Sequence, residues 1–453
     1  MQTFDLIVIG AGSGLKVSSA AADKGMKVAV VEKGPMGGTC LNRGCIPSKI
    51  IIHSAEIAEQ VKKSSQYGVH SRLLSVDFAK IISRASNIVD KDSKNIEHGI
   101  IEDKNTTLFR AEAKFIGERT IQAGKNTIKG NKVVIAAGTR PMVPNIEGLK
   151  GSGFMTSDEA LRLKKQPKVM TILGGGYIAA ELAHFYGSLG TKINIIQRAP
   201  LMVPAEDTEI AAQYTKSFGE KYNVLLEHNA VKVEKKNGKF IVTAQGKKSS
   251  KKIISDALLV AAGRVSNTDI LDLKKTNVEI DEKGYIKTNQ YLETTAKNTW
   301  ALGDIIGRYL FKHTANLEAQ TVYSNAILGK KMKMNYDAMP HAIFSSPQIA
   351  GVGMTEQALK SSKIKYAAGK HFYRSTGMGI AIQDNEGFVK IFADKKTRKI
   401  LGCHIIGTDA STLIHEVLVA MKNNLTVDAL TNTVHIHPAL NEVVQRAALN
   451  IEW

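Results

Sequence analysis

The chain has 453 residues, 43% of them hydrophobic, which gives room for roughly two to four domains with packed cores. Its net charge of +19 comes from scattered lysines, a pattern that argues against nucleic-acid binding and for solubility and long-range attraction of anionic ligands. No apolar run approaches the roughly 20 residues of a membrane helix, no basic leader precedes the first strand, and three cysteines do not make a secreted disulfide scaffold; these features point to a reducing, cytoplasmic setting.

In chain order, the first feature is an apolar strand, Leu6 to Ile9, running into Gly10-Ala11-Gly12-Ser13-Gly14. A helix of small residues over Ser18 to Ala22 and a second strand, Val28 to Val31, lead to Glu32. Such a turn brings backbone close to a pyrophosphate at a helix N-terminus, and an acid about 20 residues on meets a ribose hydroxyl. Position 15, where a third glycine is expected, is Leu15, so Gly14 is expected to take over the close packing.

Next comes Gly37-Gly38-Thr39-Cys40-Leu41-Asn42-Arg43-Gly44-Cys45-Ile46-Pro47-Ser48-Lys49, with two of the three cysteines. A closed zinc site wants four ligands and only Cys403 remains; a structural disulfide suits a reducing compartment poorly. Two unrelated buried thiols are the remaining alternative to a cycling redox disulfide, which is the stronger reading beside a dinucleotide-type turn. A helix is expected to start near Pro47, and a thiol at a helix N-terminus is biased toward thiolate.

The dinucleotide pattern then repeats: strand Val169 to Leu173, turn Gly174-Gly175-Gly176-Tyr177-Ile178-Ala179-Ala180-Glu181, a helix, and strand Ile193 to Ile196. Ala179 stands at the third glycine position. An acid after this strand would favour NAD, and an arginine NADP. Gln197-Arg198 stand there, so the reading leans to NADP(H) over NAD(H). Two such units imply two electron carriers, usually a flavin and a nicotinamide. The lysine run 247–252 reads as a solvated hairpin or loop, and Cys403 as a buried core thiol in an apolar strand.

The ordered blocks resemble the flavoprotein disulfide reductases of the class I pyridine nucleotide-disulfide oxidoreductase family, which includes dihydrolipoyl dehydrogenase, glutathione reductase and mycothione reductase. They are Gly10 to Glu32, the Cys40–Cys45 block, Ala136 to Pro141, the second turn with Glu181, Ala261 to Arg264, Trp300 to Asp304, Pro340 to Gly353 and His435 to Glu442. The resemblance implies an α/β fold with two Rossmann-like dinucleotide-binding domains and a C-terminal α+β dimerisation domain. Its expected division is 1–145 for FAD with the redox-active disulfide, 146–264 for NAD(P), 265–335 returning to the FAD, and 336–453 for dimerisation.

The resemblance also distributes roles. Cys45 faces the flavin as the charge-transfer thiolate, Cys40 exchanges with substrate, and Lys49 pairs with Glu181 near flavin N5. His437, oriented by Glu442, moves protons at the interchange thiol of the other subunit, which implies an obligate homodimer; His435 receives no chemistry. The FAD residues are Gly10, Gly12, Gly14, Glu32, Lys33, Gly38, Thr39, Lys49, Ala137, Gly138, Arg140, Gly303, Asp304 and Ala315, with a helix beginning near His313 aimed at the flavin. The NAD(P) residues are Gly174, Gly176, Tyr177 (a gate over the nicotinamide), Ile178, Glu181, Gln197, Arg198 and Gly263. No metal is assigned.

The chain has no C-terminal cysteine pair, which disfavours mercuric reductase and the large thioredoxin reductases. The cysteine block is most similar to dihydrolipoyl dehydrogenase, with possible membership of a 2-oxoacid dehydrogenase complex. Gln197-Arg198 and His437-Pro438-Ala439-Leu440-Asn441-Glu442 are as similar to NADPH-dependent reductases of small disulfides. The first choice is therefore a dihydrolipoyl dehydrogenase-like activity, the alternative reduction of a low-molecular-weight disulfide of mycothione or glutathione type.

Overall fold

Strands Leu6–Ile9 and Val28–Val31 are apolar at every position because both faces of their sheet are covered. A computed structural model describes residues 1–453 and sets these two strands side by side in parallel, with Leu6 opposite Val28 and Ile9 opposite Val31, in a sheet whose far edge is antiparallel. Thr106–Phe109 extends this sheet on one side and Asn126–Ile135 on the other. Thr299–Ala301 joins it last, in parallel beside Val133 to Ile135, so the chain returns to its first sheet after building a second. The first strand begins earlier than its apolar run, at Gln2, because Gln2 to Phe4 pair with Ile128 to Gly130.

The second sheet repeats the plan. Val169–Leu173 lies between Lys192–Ile196 and Ala257–Val260, all parallel, with Asn223–Leu225 beyond. Strands Lys239–Gln245 and Ser250–Ser255 form an antiparallel hairpin that carries the lysine run across its turn and into its second strand. The segment after Val260 pairs back with the segment leaving the first sheet, Val265 opposite Arg140.

From Pro340 onward a five-stranded antiparallel sheet forms, covered by helices Ala410–Lys422 and Glu442–Leu449. Cys403 is fully buried in its strand Ile400–Gly407, and burial pushes its thiol pKa up. Lys390, with its side chain 7% exposed, pairs with Glu356 of its own unit at 2.7 Å and ties this sheet to the second unit by an ion pair to Glu209 at 2.8 Å. No helix is long and apolar enough to cross a membrane.

Candidate active site

The cysteine loop is set by glycine. Gly37 and Gly38 have φ of 92° and 66°, and a Cβ on Gly38 would fall 2.8 Å from Cα of Gly12, so this turn lies directly on the first glycine turn. A short helix, Gly38–Arg43, then carries Cys40. Buried Asn42 holds it by donating to the carbonyls of Met36 (2.7 Å) and Gly38 (3.0 Å). After Gly44 a long helix runs Cys45–Lys63, so it starts at the cysteine itself rather than at Pro47. Cys45 thus sits at the positive end of a helix dipole.

The two sulfurs are electrostatically unequal. A hydrogen bond from the Cys40 thiol lowers the Cys45 pKa to about 7, against burial and with help from Lys49. The same bond and burial push Cys40 up, while Lys312 acts in the opposite direction. Cys45 retains an exposed face. One turn along its helix, Lys49 donates to both oxygens of Glu181 at 2.8 and 2.9 Å and lies 4.4 Å from the Phe344 ring centroid. The Phe344 amide donates to Glu181 as well, at 3.1 Å. Three hydrogen bonds from two donors fix a carboxylate that is only 8% exposed.

The first glycine turn suits a dinucleotide. A Cβ on Gly10 would overlap the Ala136 carbonyl oxygen, and one on Gly14 would crowd Val8 and Ala136 at 2.9 Å. Gly14 therefore does the close packing expected of a third glycine, and the helix starts at Leu15 rather than Ser18. The amides of Gly12, Ser13 and Gly14 have no acceptor within the chain, a donor set suited to a pyrophosphate. Glu32 ends the next strand and accepts from the amides of Ala11 (2.8 Å) and Gly34 (2.6 Å).

The Ala136–Gly138 segment closes one side of that cradle; Asn267 donates to the carbonyls of Ala137 and Gly138. Asp304 accepts from Thr139 Oγ1 at 2.9 Å and lies 4.0 Å from Arg264; burial pushes its carboxyl pKa up. The helix following it is Lys312–Val322, and Ala315 in its first turn packs against Gly303. Glu318, fully buried, accepts from the Gly303 amide at 2.6 Å, and burial pushes its pKa to about 7. Lys33 and Arg140 are engaged elsewhere, with Glu112 at 2.9 Å and Asp269 at 2.6 Å. Thr39 lies in the short Cys40 helix.

The second turn repeats the geometry. Gly174 has φ of 108°, and its Cβ would overlap the Ala261 carbonyl oxygen. Gly176 caps the helix Tyr177–Ser188, and the amides of Gly175 and Gly176 are without acceptors in the chain. Tyr177 opens this helix 40% exposed, Ile178 packs on the core, and Ala179 is fully buried. Gly263, at φ 123°, supplies the carbonyl that accepts from the Met142 amide. Gln197 is buried against Gly175 and bonds Leu201 and Arg198 backbone, whereas Arg198 is exposed.

Near the C-terminus, His437 Nδ1 and Glu442 Oε1 are 3.0 Å apart, and the Ala439 amide also donates to Glu442. The hydrogen bond from His437 holds the Glu442 carboxyl below its usual range. The His437 side chain is 74% exposed, with Val434 and Ile436 beside it at 95% and 77%. His435 is turned inward onto Glu416 at 2.9 Å. Thus Cys40, Cys45, Lys49 and Glu181 converge within one chain, whereas the His437–Glu442 pair faces outward.

Sequence reasoning missed Lys312, Lys16 and the Phe344 amide. Lys16 and Lys312 share a cavity wall with Cys40. Lys312 opens its helix one residue before His313, where the resemblance sets the helix start, and an amide donor leaves no trace in sequence.

The chain matches known proteins along its length. Residues 4–323 match the family described as pyridine nucleotide-disulphide oxidoreductase, and residues 339–448 its dimerisation domain. Dihydrolipoyl dehydrogenase of Chlorobaculum parvum is 34% identical, over 98% of this chain and 96% of that protein. Mycothione reductase of Mycobacterium tuberculosis is 32% identical over 100% of both. The HOCl-induced flavoprotein disulfide reductase RclA from Escherichia coli, solved as a Cu(II) complex, superposes with a TM-score of 0.88 at 26% identity over 99% of each chain. The expected fold class stands, with two dinucleotide-binding sheets and a C-terminal dimerisation domain. The chain belongs to the pyridine nucleotide-disulphide oxidoreductase family and is a flavoprotein disulfide oxidoreductase that uses FAD and a pyridine nucleotide.

Proposed function

We propose that the protein is a dihydrolipoyl dehydrogenase-like enzyme, exchanging electrons between a dithiol substrate and a nicotinamide through Cys40 and Cys45. The observation that carries this reading is the unequal thiol pair, a Cys45 lowered to about 7 at a helix start and a Cys40 facing a cavity. FAD, when bound, carries two electrons between that pair and the nicotinamide. The residues that would hold it are Gly10, Gly12, Gly14 and Glu32 in the first turn, Gly38 and Thr39 in the cysteine loop, the Ala137–Gly138 segment, and Gly303, Asp304 and Ala315. Lys33 and Arg140 are engaged in ion pairs and join this set through their backbone.

In the oxidative direction a substrate thiolate attacks Cys40 of the Cys40–Cys45 disulfide, and Cys45 leaves as thiolate. The second substrate thiol gives its proton to His437 and displaces Cys40, closing the substrate disulfide. The imidazolium then returns the proton to Cys40. Glu442 accepts from His437 Nδ1 and so leaves Nε2 for this transfer. The His437 that serves a given Cys40 is the partner protomer's, a reading supported by the outward-facing dyad, the exposed Val434 and Ile436, and the dimerisation domain. A 2-oxoacid dehydrogenase complex in the cytoplasm is the setting such an activity serves. The functional division is FAD 1–145 and 265–335, NAD(P) 146–264, and dimerisation 336–453.

A second reading, NADPH-dependent reduction of a low-molecular-weight disulfide, is favoured by one feature. Gln197 is folded back on its own backbone and Arg198 stands exposed after the second strand, open to a 2′-phosphate. Steady-state rates with dihydrolipoamide and with small disulfides, each with both nicotinamides, separate the two. Turnover of dihydrolipoamide is expected; activity confined to a small disulfide with NADPH would replace the first reading with the second.

A further inference from the structure

Each sulfur of the pair has a lysine near it, and only one of those lysines has a carboxylate partner. Lys49 acts on Cys45 and is held by both oxygens of Glu181. Lys312 lines, with Cys40, a cavity of about 770 Å³ whose wall also includes Leu15, Lys16, Leu41 and Ile46. Lys312 is in no ion pair, and Asp304, the carboxylate acting on it most, is engaged by Thr139 and Arg264. Lys312 is also the first residue of its helix, with no acidic residue in that first turn. A lysine there meets the positive end of the helix dipole, which disfavours it. The groups that favour its charge are the sulfurs of Cys40 and Cys45, and Cys40 shares the cavity wall with it.

We propose that Lys312 is the counter-ion of Cys40, stabilising the negative charge that sulfur carries when it attacks, or is released from, a substrate sulfur. The proposal rests on Cys40 being the interchange thiol. In the reductive direction the Cys40 thiolate attacks a substrate disulfide, the Cys40–substrate S–S bond forms, the substrate S–S bond breaks, and one substrate thiolate leaves. The Cys45 thiolate then attacks the Cys40 sulfur, forming the Cys40–Cys45 disulfide and releasing the second thiolate. Each released thiolate takes up one proton. Two electrons pass from the protein dithiol to the substrate, and the nicotinamide resupplies them through FAD. The oxidative direction is the reverse, with Cys40 as the leaving thiolate.

In both directions Cys40 is ionised once per turnover, although hydrogen bonding to Cys45 and burial oppose its charge. Lys312 is the cation acting against them. The other charged groups facing this cluster are Cys45 and Lys49 on the cysteine helix, Glu181 on the helix after the second turn, Lys16 on the first helix, Asp304, and Asp103, which lines the same cavity. Lys49–Glu181 would thus serve the flavin-side sulfur and Lys312 the substrate-side one.

The test is the pH profile of iodoacetamide alkylation of Cys40 in the reduced holoenzyme, followed by peptide mass spectrometry. Lys312→Met should slow Cys40 alkylation about tenfold near neutral pH and move its midpoint upward, while Lys312→Arg keeps the original profile. Cys45, followed in the Cys40→Ser protein, should shift less. An unchanged Cys40 profile in Lys312→Met, or equal shifts of both thiols, overturns the proposal. If Lys312→Met loses its flavin, the unsubstituted protein decides: added salt should slow Cys40 alkylation below its midpoint, and no salt effect overturns the counter-ion role. The underlying reading fails separately, if hydroxyethyl disulfide is trapped on Cys45 instead of Cys40.

Discussion

The two glycine turns of this chain share a backbone and differ in one side-chain environment. Gly10 and Gly174 have φ of 102° and 108°, and a Cβ on either would overlap a carbonyl oxygen, of Ala136 or Ala261. Each turn leaves amides without acceptors at a helix start. The strand after the first ends in Glu32, held by the Ala11 and Gly34 amides; the strand after the second ends in Gln197, folded onto Leu201 and Arg198. Each turn therefore presents the same kind of donor set, suited to a pyrophosphate, and the proposed discrimination between nicotinamides rests on what differs at the end of the second strand.

Alanine at the two glycines gives the largest expected effects. Both positions combine positive φ with a backbone overlap, at a cost on the order of a few kcal/mol each. Gly10→Ala should purify with severalfold less flavin per chain, read as flavin absorbance after gel filtration. Gly174→Ala should keep its flavin and its reduction by dithiol but lose rapid reduction by nicotinamide in stopped flow. If both variants lose the same step, the turns do not serve separate ligands and the comparison collapses.

Exchanging the strand-end residues is the next test. Gln197→Glu together with Arg198→Ala should lower the ratio of kcat/KM for NADPH to that for NADH by about tenfold or more, since a carboxylate repels the 2′-phosphate and the paired cation is gone. An unaltered ratio would move cofactor choice away from this strand end.

These tests address what was legible in sequence and what was not. Strands Val28–Val31 and Val169–Leu173 have the expected limits because the first is apolar from end to end and only buried Thr171 interrupts the second. The first strand runs longer than its apolar core, since Gln2 to Phe4 owe their place to Ile128 to Gly130, far along the chain. Glycine spacing and Glu32 were readable because a local motif fixes them. The Lys49–Glu181 pair came only through the resemblance, and the Phe344 amide that completes it comes from yet another segment. Lys390 reads as one more lysine, yet folding buries it among Asp207, Glu209 and Glu356.

The helix after the second turn also reaches the first copy, because Glu181 holds Lys49 beside Cys45. Lys49 lowers the Cys45 pKa and Glu181 raises it. The thiolate is populated above about pH 7 and lost as pH falls below that value. Glu181→Gln should move this midpoint downward, and Lys49→Met upward, by roughly half to one pH unit. The long-wavelength absorbance of the two-electron-reduced holoenzyme, titrated with pH, reports it. Shifts of the opposite sign would detach the pair from Cys45.

The smallest effect compares the residues just past the two strand ends. Lys33 follows Glu32 and pairs with Glu112, with the two side chains 54% and 41% exposed. Arg198 follows Gln197, exposed and outside every ion pair of the chain. An exposed pair contributes about 0–1 kcal/mol, so Lys33→Ala should leave flavin content unchanged and shift the melting temperature by no more than a few degrees. Arg198→Ala should be equally silent in melting yet raise the KM for NADPH. Flavin loss in Lys33→Ala would show that its ammonium, and not only its backbone, serves the cofactor; the two strand ends would then use a basic residue alike, and the difference between the copies would narrow to Glu32 against Gln197.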